Sequence, residues 1–202
     1  MVIAVLGIGL CTLLPMGGQP PAQADIFDTL GDRIKGEGIG DSAMATDGEN
    51  LYIVRADHLY VYSARSLAMS SSLKLPDVPD TGSAGCLVAG GHLFVAKDRK
   101  ILRMALGDPQ ILAQNTLDNR CGYARPEMLL DGSSLYLTAE DRLYKLSADS
   151  LAEEGRAKLE DARTTGLASL CKVGGLLYVL KEDRVYKVDA GSMTVESRTT
   201  ID

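Results

Sequence analysis

Short apolar runs alternate with glycine-rich and charged turns along most of this chain, and the pattern recurs every 42 residues. An aromatic residue in the apolar run and a glycine in the turn before it each occur four times: Tyr52, Phe94, Tyr136, Tyr178 and Gly48, Gly90, Gly132, Gly174. A fixed period of this size is typical of supersecondary units that are stacked or arranged in a ring. The repeat therefore predicts an all-β protein, a β-propeller with one blade per repeat.

Each repeat predicts a blade of four antiparallel strands, A to D. Strand A is short and apolar, a glycine turn follows it, and strand B is the run around the aromatic residue, as at 51–54. Strand C alternates, with Tyr144 and Leu146 on one face and Leu143 and Lys145 on the other. The weaker outer strand D is predicted near 70–75, 110–114, 154–159 and 194–201. A β-solenoid or a β-sandwich is the alternative, but a sandwich has no reason to keep a 42-residue period.

The four repeats are expected at about 41–82, 83–124, 125–166 and 167–202. They predict either a closed four-bladed ring or one half of an eight-bladed ring shared by a homodimer. Residues 25–40 stand outside the repeats as an N-terminal extension. The spacing of Ile26, Phe27, Leu30 and Ile34 predicts a short amphipathic helix in this extension, and an extra strand that seals the ring is the alternative.

The first 24 residues have the pattern of a secretory signal peptide. They contain no charged side chain, residues 2–14 are apolar, and Ala-Gln-Ala at 22–24 fits a cleavage site. An uncleaved N-terminal anchor is the alternative. We therefore expect export to the periplasm or the extracellular space. No second apolar segment is long enough to predict a membrane span after cleavage. The net charge of −6 is spread with mixed signs, which argues against a nucleic-acid partner.

Cleavage would leave three cysteines, Cys86, Cys121 and Cys171, so at most one intrachain disulfide can form. Their spacing matches no metal-binding motif, and no metal site is expected. Two rows of strand A residues are apolar and are predicted to pack in the core. These rows are Met44, Cys86, Met128, Leu170 and Ala45, Leu87, Leu129, Cys171.

The loop at 117–125 is the richest candidate for contact with a partner. In a propeller, the B–C turns and the D–A loops open on the same face, and here the D–A loops differ from repeat to repeat. Loop 117–125 carries Asn119, Arg120, Tyr123 and Arg125, and arginine and tyrosine often anchor interfaces. We therefore predict that these four residues bind a protein or a small ligand; an ordinary solvated loop is the alternative.

The B–C turns place a basic residue at the same position of every repeat. These residues are His58, Lys100, Arg142 and Arg184. One hypothesis is an anion-binding collar at the mouth of the central channel. The alternative is protection of strand edges against aggregation, because charged side chains at edges discourage pairing with other chains.

The segments LYVYSARSL, LYKLSADSL and VYKVDAGSM resemble the blade motif of PQQ-like, quinoprotein-type bacterial propellers. The resemblance covers about residues 41–202 and implies the propeller fold. That family usually carries a tryptophan in each repeat, whereas this chain has none. Nothing in the sequence matches the family's cofactor site, so no cofactor is expected.

Catalysis has little support in the sequence. The two histidines, His58 and His92, lie in or beside turns, and no nucleophile or phosphate-binding motif is present. We therefore predict no catalytic residues and an exported, non-catalytic scaffold that binds a partner through the B–C/D–A face. The alternatives are an extracytoplasmic propeller enzyme, quinoprotein-like or carbohydrate-active, and a structural subunit of the cell envelope.

Overall fold

Sixteen β-strands account for most of the part of the chain that the structure describes. A computed structural model describes residues 42–121, 125–165 and 167–201. The predicted signal peptide at 1–24 and the extension at 25–40 lie outside these residues. The strands are β1 (Ala43–Thr46), β2 (Asn50–Arg55), β3 (His58–Ser63), β4 (Met69–Lys74), β5 (Ala84–Ala89), β6 (His92–Lys97), β7 (Lys100–Ala105), β8 (Ile111–Thr116), β9 (Met128–Asp131), β10 (Ser134–Ala139), β11 (Arg142–Ser147), β12 (Glu153–Lys158), β13 (Ala168–Val173), β14 (Leu176–Lys181), β15 (Arg184–Asp189) and β16 (Thr194–Thr200).

The strands form four separate antiparallel sheets, each made of four consecutive strands. Blade 1 is β1–β4, blade 2 is β5–β8, blade 3 is β9–β12 and blade 4 is β13–β16. In each blade the four strands correspond, in order, to the predicted strands A to D. The first strands of consecutive blades contact one another, so strand A is the innermost strand. This arrangement confirms the predicted fold, a β-propeller of four four-stranded blades.

The glycine of each A–B turn has the backbone conformation that the sequence predicts. The four repeated glycines, at 48, 90, 132 and 174, all have positive φ, between 57° and 94°. Glycine adopts this left-handed region without the steric penalty that a Cβ atom would bring. The turn chemistry therefore fixes where strand B begins in every blade.

The B–C turns also require positive φ, although they lack glycine. In blade 1, Arg55 pairs with His58 across the hairpin, which leaves only two residues for the turn. Two-residue hairpins favour left-handed conformations because these match the twist of the strands. The first turn residue therefore has φ near +50° in every blade: Ala56 (47°), Asp98 (52°), Glu140 (50°) and Glu182 (56°).

Successive blades pack through opposite faces of their sheets. We call the face that contacts the next blade the leading face and the face that contacts the previous blade the trailing face. Tyr52 and Leu59 lie on the leading face of blade 1, and Leu93 and Leu102 lie on the trailing face of blade 2. The same positions form the clusters between blades 2 and 3 and between blades 3 and 4. Each interface is thus a repeat of the one before it.

The two outermost faces of the series have no such cluster. Among the described residues, no buried hydrophobic cluster joins blade 4 to blade 1. Two strand A predictions are wrong for this reason. Met44, on the trailing face of blade 1, is 57% exposed, and Cys171, on the leading face of blade 4, is also exposed.

Each interface also contains a polar link from the leading face to the C–D turn of the next blade. The Gly107 N–H donates to the Tyr52 hydroxyl at 2.8 Å. The Arg103 guanidinium contacts Asp149 of blade 3 at 2.6 Å. The Tyr136 hydroxyl donates to the Ala190 carbonyl of blade 4 at 3.4 Å. These links fix the angular position of each blade relative to its neighbour.

Two glycines in the A–B turns of different blades separate the effect of backbone strain from that of packing. We expect Gly132→Ala to lower the free energy of unfolding by about 1–2 kcal/mol, because alanine disfavours the left-handed region. A Cβ at Gly132 would meet no atom within 4 Å, so steric contact adds nothing. Gly175→Ala is the matched control, since its φ is not positive and its Cβ would also meet open space. Urea unfolding of both variants checks this, and equal losses would contradict it.

Asp47 makes the link between blades 1 and 2 sensitive to acid. Partial burial acts to raise the pKa of Asp47, but hydrogen bonds from Asn50 and Tyr52 outweigh it and hold the pKa at about 2. A lowered pKa contributes stability that is present above the ordinary value of 3.8 and is lost as the pH falls through 2. We expect Asp47→Asn to be less stable than wild type at pH 6, and the difference to shrink below pH 3.8. Urea unfolding across this range measures it; a constant difference would contradict the assignment.

Candidate functional site

The B–C turns and the D–A loops are joined by hydrogen bonds at one edge of every blade. The first residue after strand D donates its N–H to a carbonyl of the B–C turn, as Leu75 does to Asp57 and Leu159 does to Asp141, both at 2.7 Å. We call this edge the loop face. Its D–A loops are 75–83, 117–127 and 159–167.

Asn119 holds the loop at 117–127 against blade 3. Its side-chain amide donates to Glu140 at 2.9 Å, and its amide oxygen accepts the Tyr144 hydroxyl at 2.8 Å. Two residues further on, Cys121 is buried among the residues that join blades 2 and 3. Burial raises the pKa of the Cys121 thiol, and the nearby carboxylates of Asp98 and Glu140 raise it further. Asn119 therefore positions the loop, and Cys121 anchors it as an unreactive core side chain.

Arg120 and Arg125, like Asp118, are exposed residues of this loop. The Arg120 side chain is 67% exposed and has a loose ion pair with Asp98, at 3.5 Å. Arg125 is also exposed. Tyr123, the other predicted contact residue, lies outside the described residues. The loop thus presents two arginine side chains on either side of the segment that contains Tyr123.

Arg125 lies close to the first strand of blade 3, where Glu127 precedes β9. Burial raises the pKa of Glu127, and the Arg125 guanidinium opposes that rise. The same guanidinium acts on Cys86 of blade 2, whose pKa burial raises to about 12. Arg125 therefore lies at the inner edge of the loop face, between blades 2 and 3. Glu127 lies one residue before β9.

The four repeated basic residues begin strand C of each blade, away from the innermost strands. Two of them contact a loop: Lys100 lies 3.5 Å from Asp77, and Arg184 donates to the Asp161 carbonyl. The other two contact the aspartate that precedes them: His58 lies 2.6 Å from Asp57, and Arg142 lies 3.7 Å from Asp141. Asp77 and Asp161 belong to the D–A loops of the preceding blades. Lys100 and Arg184 therefore hold these loops in place. Because all four basic residues lie on strand C, they are away from the mouth of a channel lined by strand A.

Sequence reasoning missed a second set of loop contacts, made by arginines of strand D. Arg156 contacts Asp118 at 2.7 Å, and Arg198 contacts Asp161 at 2.8 Å. The two arginines are 42 residues apart, so they occupy the same position of strand D in blades 3 and 4. This repetition is the sequence signal that could have predicted their shared role. A groove of about 430 Å³ beside the second pair is lined by Glu160, Asp161, Tyr186, Val195, Ser197 and Arg198.

Cys86, Cys121 and Cys171 are free thiols, and none of the three is in a disulfide. Within residues 42–121, 125–165 and 167–201, no cluster of His, Cys, Asp or Glu side chains could hold a metal ion. No helix of this described part has the length and apolar character needed to cross a membrane.

No protein-family model and no curated protein matches the chain. Solved structures match it at low identity. BamB from Moraxella catarrhalis is 18% identical, with 80% of this chain and 52% of that chain covered and a TM-score of 0.61. Hydrazine synthase from Kuenenia stuttgartiensis is 13% identical, with coverages of 79% and 48% and a TM-score of 0.63. A chain of the mitotic checkpoint complex is 13% identical, with coverages of 76% and 48% and a TM-score of 0.60.

These likenesses support one conclusion. The fold is a β-propeller. At such identities the likeness extends to fold alone, and a propeller fold hosts many functions. The chain spans about half the length of each of these neighbours.

The positioning role of Asn119 can be separated from the exposed role of Arg120. We expect Asn119→Ala to lower the free energy of unfolding by about 1–3 kcal/mol, because the buried Tyr144 hydroxyl would lose its acceptor. Arg120→Ala should change it by less than about 0.5 kcal/mol, since an exposed, loose ion pair contributes little. Chemical denaturation of the two variants checks this. Equal stability losses would mean that Arg120 is also structural.

Proposed function

We propose that this protein is an exported, non-catalytic propeller that binds another protein or a small ligand through its loop face. The observation that carries the proposal is the contrast within loop 117–127. Asn119 and Cys121 are held by blade 3 and the core, whereas Arg120 and Arg125 are exposed. Arginine is enriched among the residues that dominate binding energy at interfaces.

The attachment of residues 118–121 to the blades favours binding at this loop. A segment that is already ordered loses less conformational entropy when a partner binds. Asp118 and Asn119 tie the outer part of the loop to blade 3 through Arg156 and Glu140. The partner side of the loop is therefore expected to be the inner part, from Arg120 to Arg125, with Tyr123 as the predicted aromatic anchor.

The two low-identity neighbours with informative names point in different directions. One is part of a mitotic checkpoint complex, and the other is hydrazine synthase. A protein-interaction scaffold suits the fold, and a protein partner is consistent with such neighbours. The extracytoplasmic enzyme and the envelope subunit stay as predictions from the sequence, as does the closer relationship to PQQ-like repeats.

Export and domain boundaries belong to the same proposal. We propose that residues 1–24 are removed as a signal peptide, that 25–40 form an extension, and that 41–202 form the propeller domain. The intact mass of protein recovered from the extracytoplasmic fraction of a bacterial host checks this. A chain that begins at Asp25 would support it, and a full-length chain in the cytoplasm would contradict export.

The binding face is tested by partner capture with mass-spectrometric cross-linking. We expect the triple variant Arg120→Ala, Tyr123→Ala, Arg125→Ala to lose the proteins that the wild type captures from an extracytoplasmic extract. Its melting temperature should stay close to that of wild type, because the exposed arginines contribute little to folding. Arg65→Ala is the control, since it removes an exposed arginine from the opposite edge of the blades.

Retention of the same captured proteins by the triple variant would contradict the site. Loss of capture in the Arg65→Ala control would show that the effect of the triple variant is one of net charge. Cross-links from captured proteins should map to residues near 117–127 if the loop face is the binding surface.

A further inference from the structure

The outer faces of blades 1 and 4 have the composition of an interface, but no cluster of described residues packs against them. On the trailing face of blade 1, the partly exposed positions are Leu51, Ile53, Tyr60 and Tyr62. On the leading face of blade 4, they are Tyr178, Leu180 and Val185. Each of these residues has equivalents at the three interfaces between blades, 42, 84 or 126 positions away in the sequence. All of these equivalents are at most 3% exposed. Position in the series, not residue type, therefore separates the open faces from the closed ones.

The two open faces are of opposite kinds. Each internal interface joins a leading face to a trailing face. Within the described part of the chain, the leading face of blade 4 and the trailing face of blade 1 have no such neighbour. Exposed apolar side chains continue both faces, including Met44, Met69 and Ile201. Contiguous apolar surface of this kind marks interaction sites on soluble proteins. A complete interface would form if these two faces met.

A polar link is also available at this fourth junction. Tyr178 occupies the position of Tyr52 and Tyr136, whose hydroxyls bond to the C–D turn of the next blade. Among the described residues, the Tyr178 hydroxyl makes no hydrogen bond. The corresponding turn of blade 1, at residues 64–65, offers the main-chain groups that Tyr178 would reach.

Charged residues at the B–C turns would also be complementary if the open faces of blades 4 and 1 met. At the junction of blades 3 and 4, burial lowers the pKa of Lys181, and the carboxylates of Glu182, Asp141 and Glu140 oppose that change. Lys181 of the trailing face thus lies near the acidic B–C turn of the previous blade. The equivalent of Lys181 in blade 1 is Arg55, and blade 4 has the same acidic turn, Glu182 and Asp183. Arg55 would meet that turn if the open faces joined.

We propose that the leading face of blade 4 binds the trailing face of blade 1 of a second copy of this chain. Two copies related by a twofold axis then form two identical junctions and a ring of eight blades. A second copy is the partner that provides both faces with the matching residues, the tyrosine link and the charge pair. The half-length coverage of the solved neighbours fits such a ring. This inference is independent of binding at the loop face.

The test uses the purified protein and variants with one altered face each. Leu180→Asp places a carboxylate on the leading face of blade 4, and Ile53→Arg places a guanidinium on the trailing face of blade 1. Light scattering is expected to give a dimer for wild type and a monomer for each variant. Leu112→Asp is the control, because Leu112 is an exposed leucine of β8 on neither open face, and this variant should stay dimeric.

Mixing the two variants distinguishes head-to-tail pairing from other dimers. An equal mixture of Leu180→Asp and Ile53→Arg can form a ring with one unaltered junction and one junction of opposite charges. We expect the mixture to recover the dimer that neither variant forms alone. A dimer that persists in either single variant, or a mixture that stays monomeric, would overturn the proposal.

A measurement on wild type covers the case in which the charged variants do not fold. Cys171 is exposed on the open leading face, beside Tyr178 across the strand pair. Its alkylation rate, followed by peptide mass spectrometry, should fall as the protein concentration rises, because dimers bury it. Rapid alkylation at all concentrations would overturn the proposal. So would slow alkylation of a monomer, since the faces would then be covered within one chain.

Tyr178→Phe gives a milder version of the same test. Loss of one hydrogen bond weakens each junction about fivefold and a ring with two junctions about 25-fold. The midpoint of the monomer–dimer transition should move by this factor. An unchanged midpoint would contradict the link that we assign to Tyr178.

Discussion

A β-sheet with two apolar faces cannot bury both of them without help from its neighbours. Each blade of this protein is such a sheet, so its stability depends on the blade before it and the blade after it. The effect is visible in strand B. All five residues from Leu93 to Lys97 are buried in blade 2, whereas burial alternates along β2 and β14 in the terminal blades. Contacts between neighbours, rather than a single central core, hold the fold together, as in other repeat proteins.

Much of this architecture could be predicted from the period and the alternation of apolar residues. The four-stranded blades, the glycine turns and the order of the strands follow from local signals, and the predicted outer strands lie within a residue or two of β4, β8, β12 and β16. The exposure of Met44 and Cys171 could not be predicted in this way. Their repeats suggest core positions, but burial in a terminal blade depends on whether another blade is present.

The candidate site was harder to predict because residue type does not show whether a side chain is already engaged. Asn119 and Arg120 are neighbours in one polar loop, yet Asn119 bonds two residues of blade 3 while Arg120 faces solvent. Likewise, the repeated basic positions suggested a binding collar. The partners of Lys100 and Arg184 lie on the preceding D–A loops, so only the folded structure shows that these two residues hold loops in place. His58 and Arg142 instead contact the aspartates next to them in sequence.

The links between blades depend largely on main-chain groups of the receiving turn. Tyr52 accepts from the backbone N–H of Gly107, Tyr136 donates to the backbone carbonyl of Ala190, and Arg103 also approaches the Ala148 carbonyl. Every residue offers a backbone carbonyl and every residue except proline a backbone N–H, whatever its side chain. At the junctions made by Tyr52 and Tyr136, the side chains of the receiving turn can therefore change without loss of the link, whereas the Arg103 link also uses the Asp149 side chain. A duplicated or transplanted blade would find a usable partner at once, which gives repeats of this kind a simple route to growth by copying.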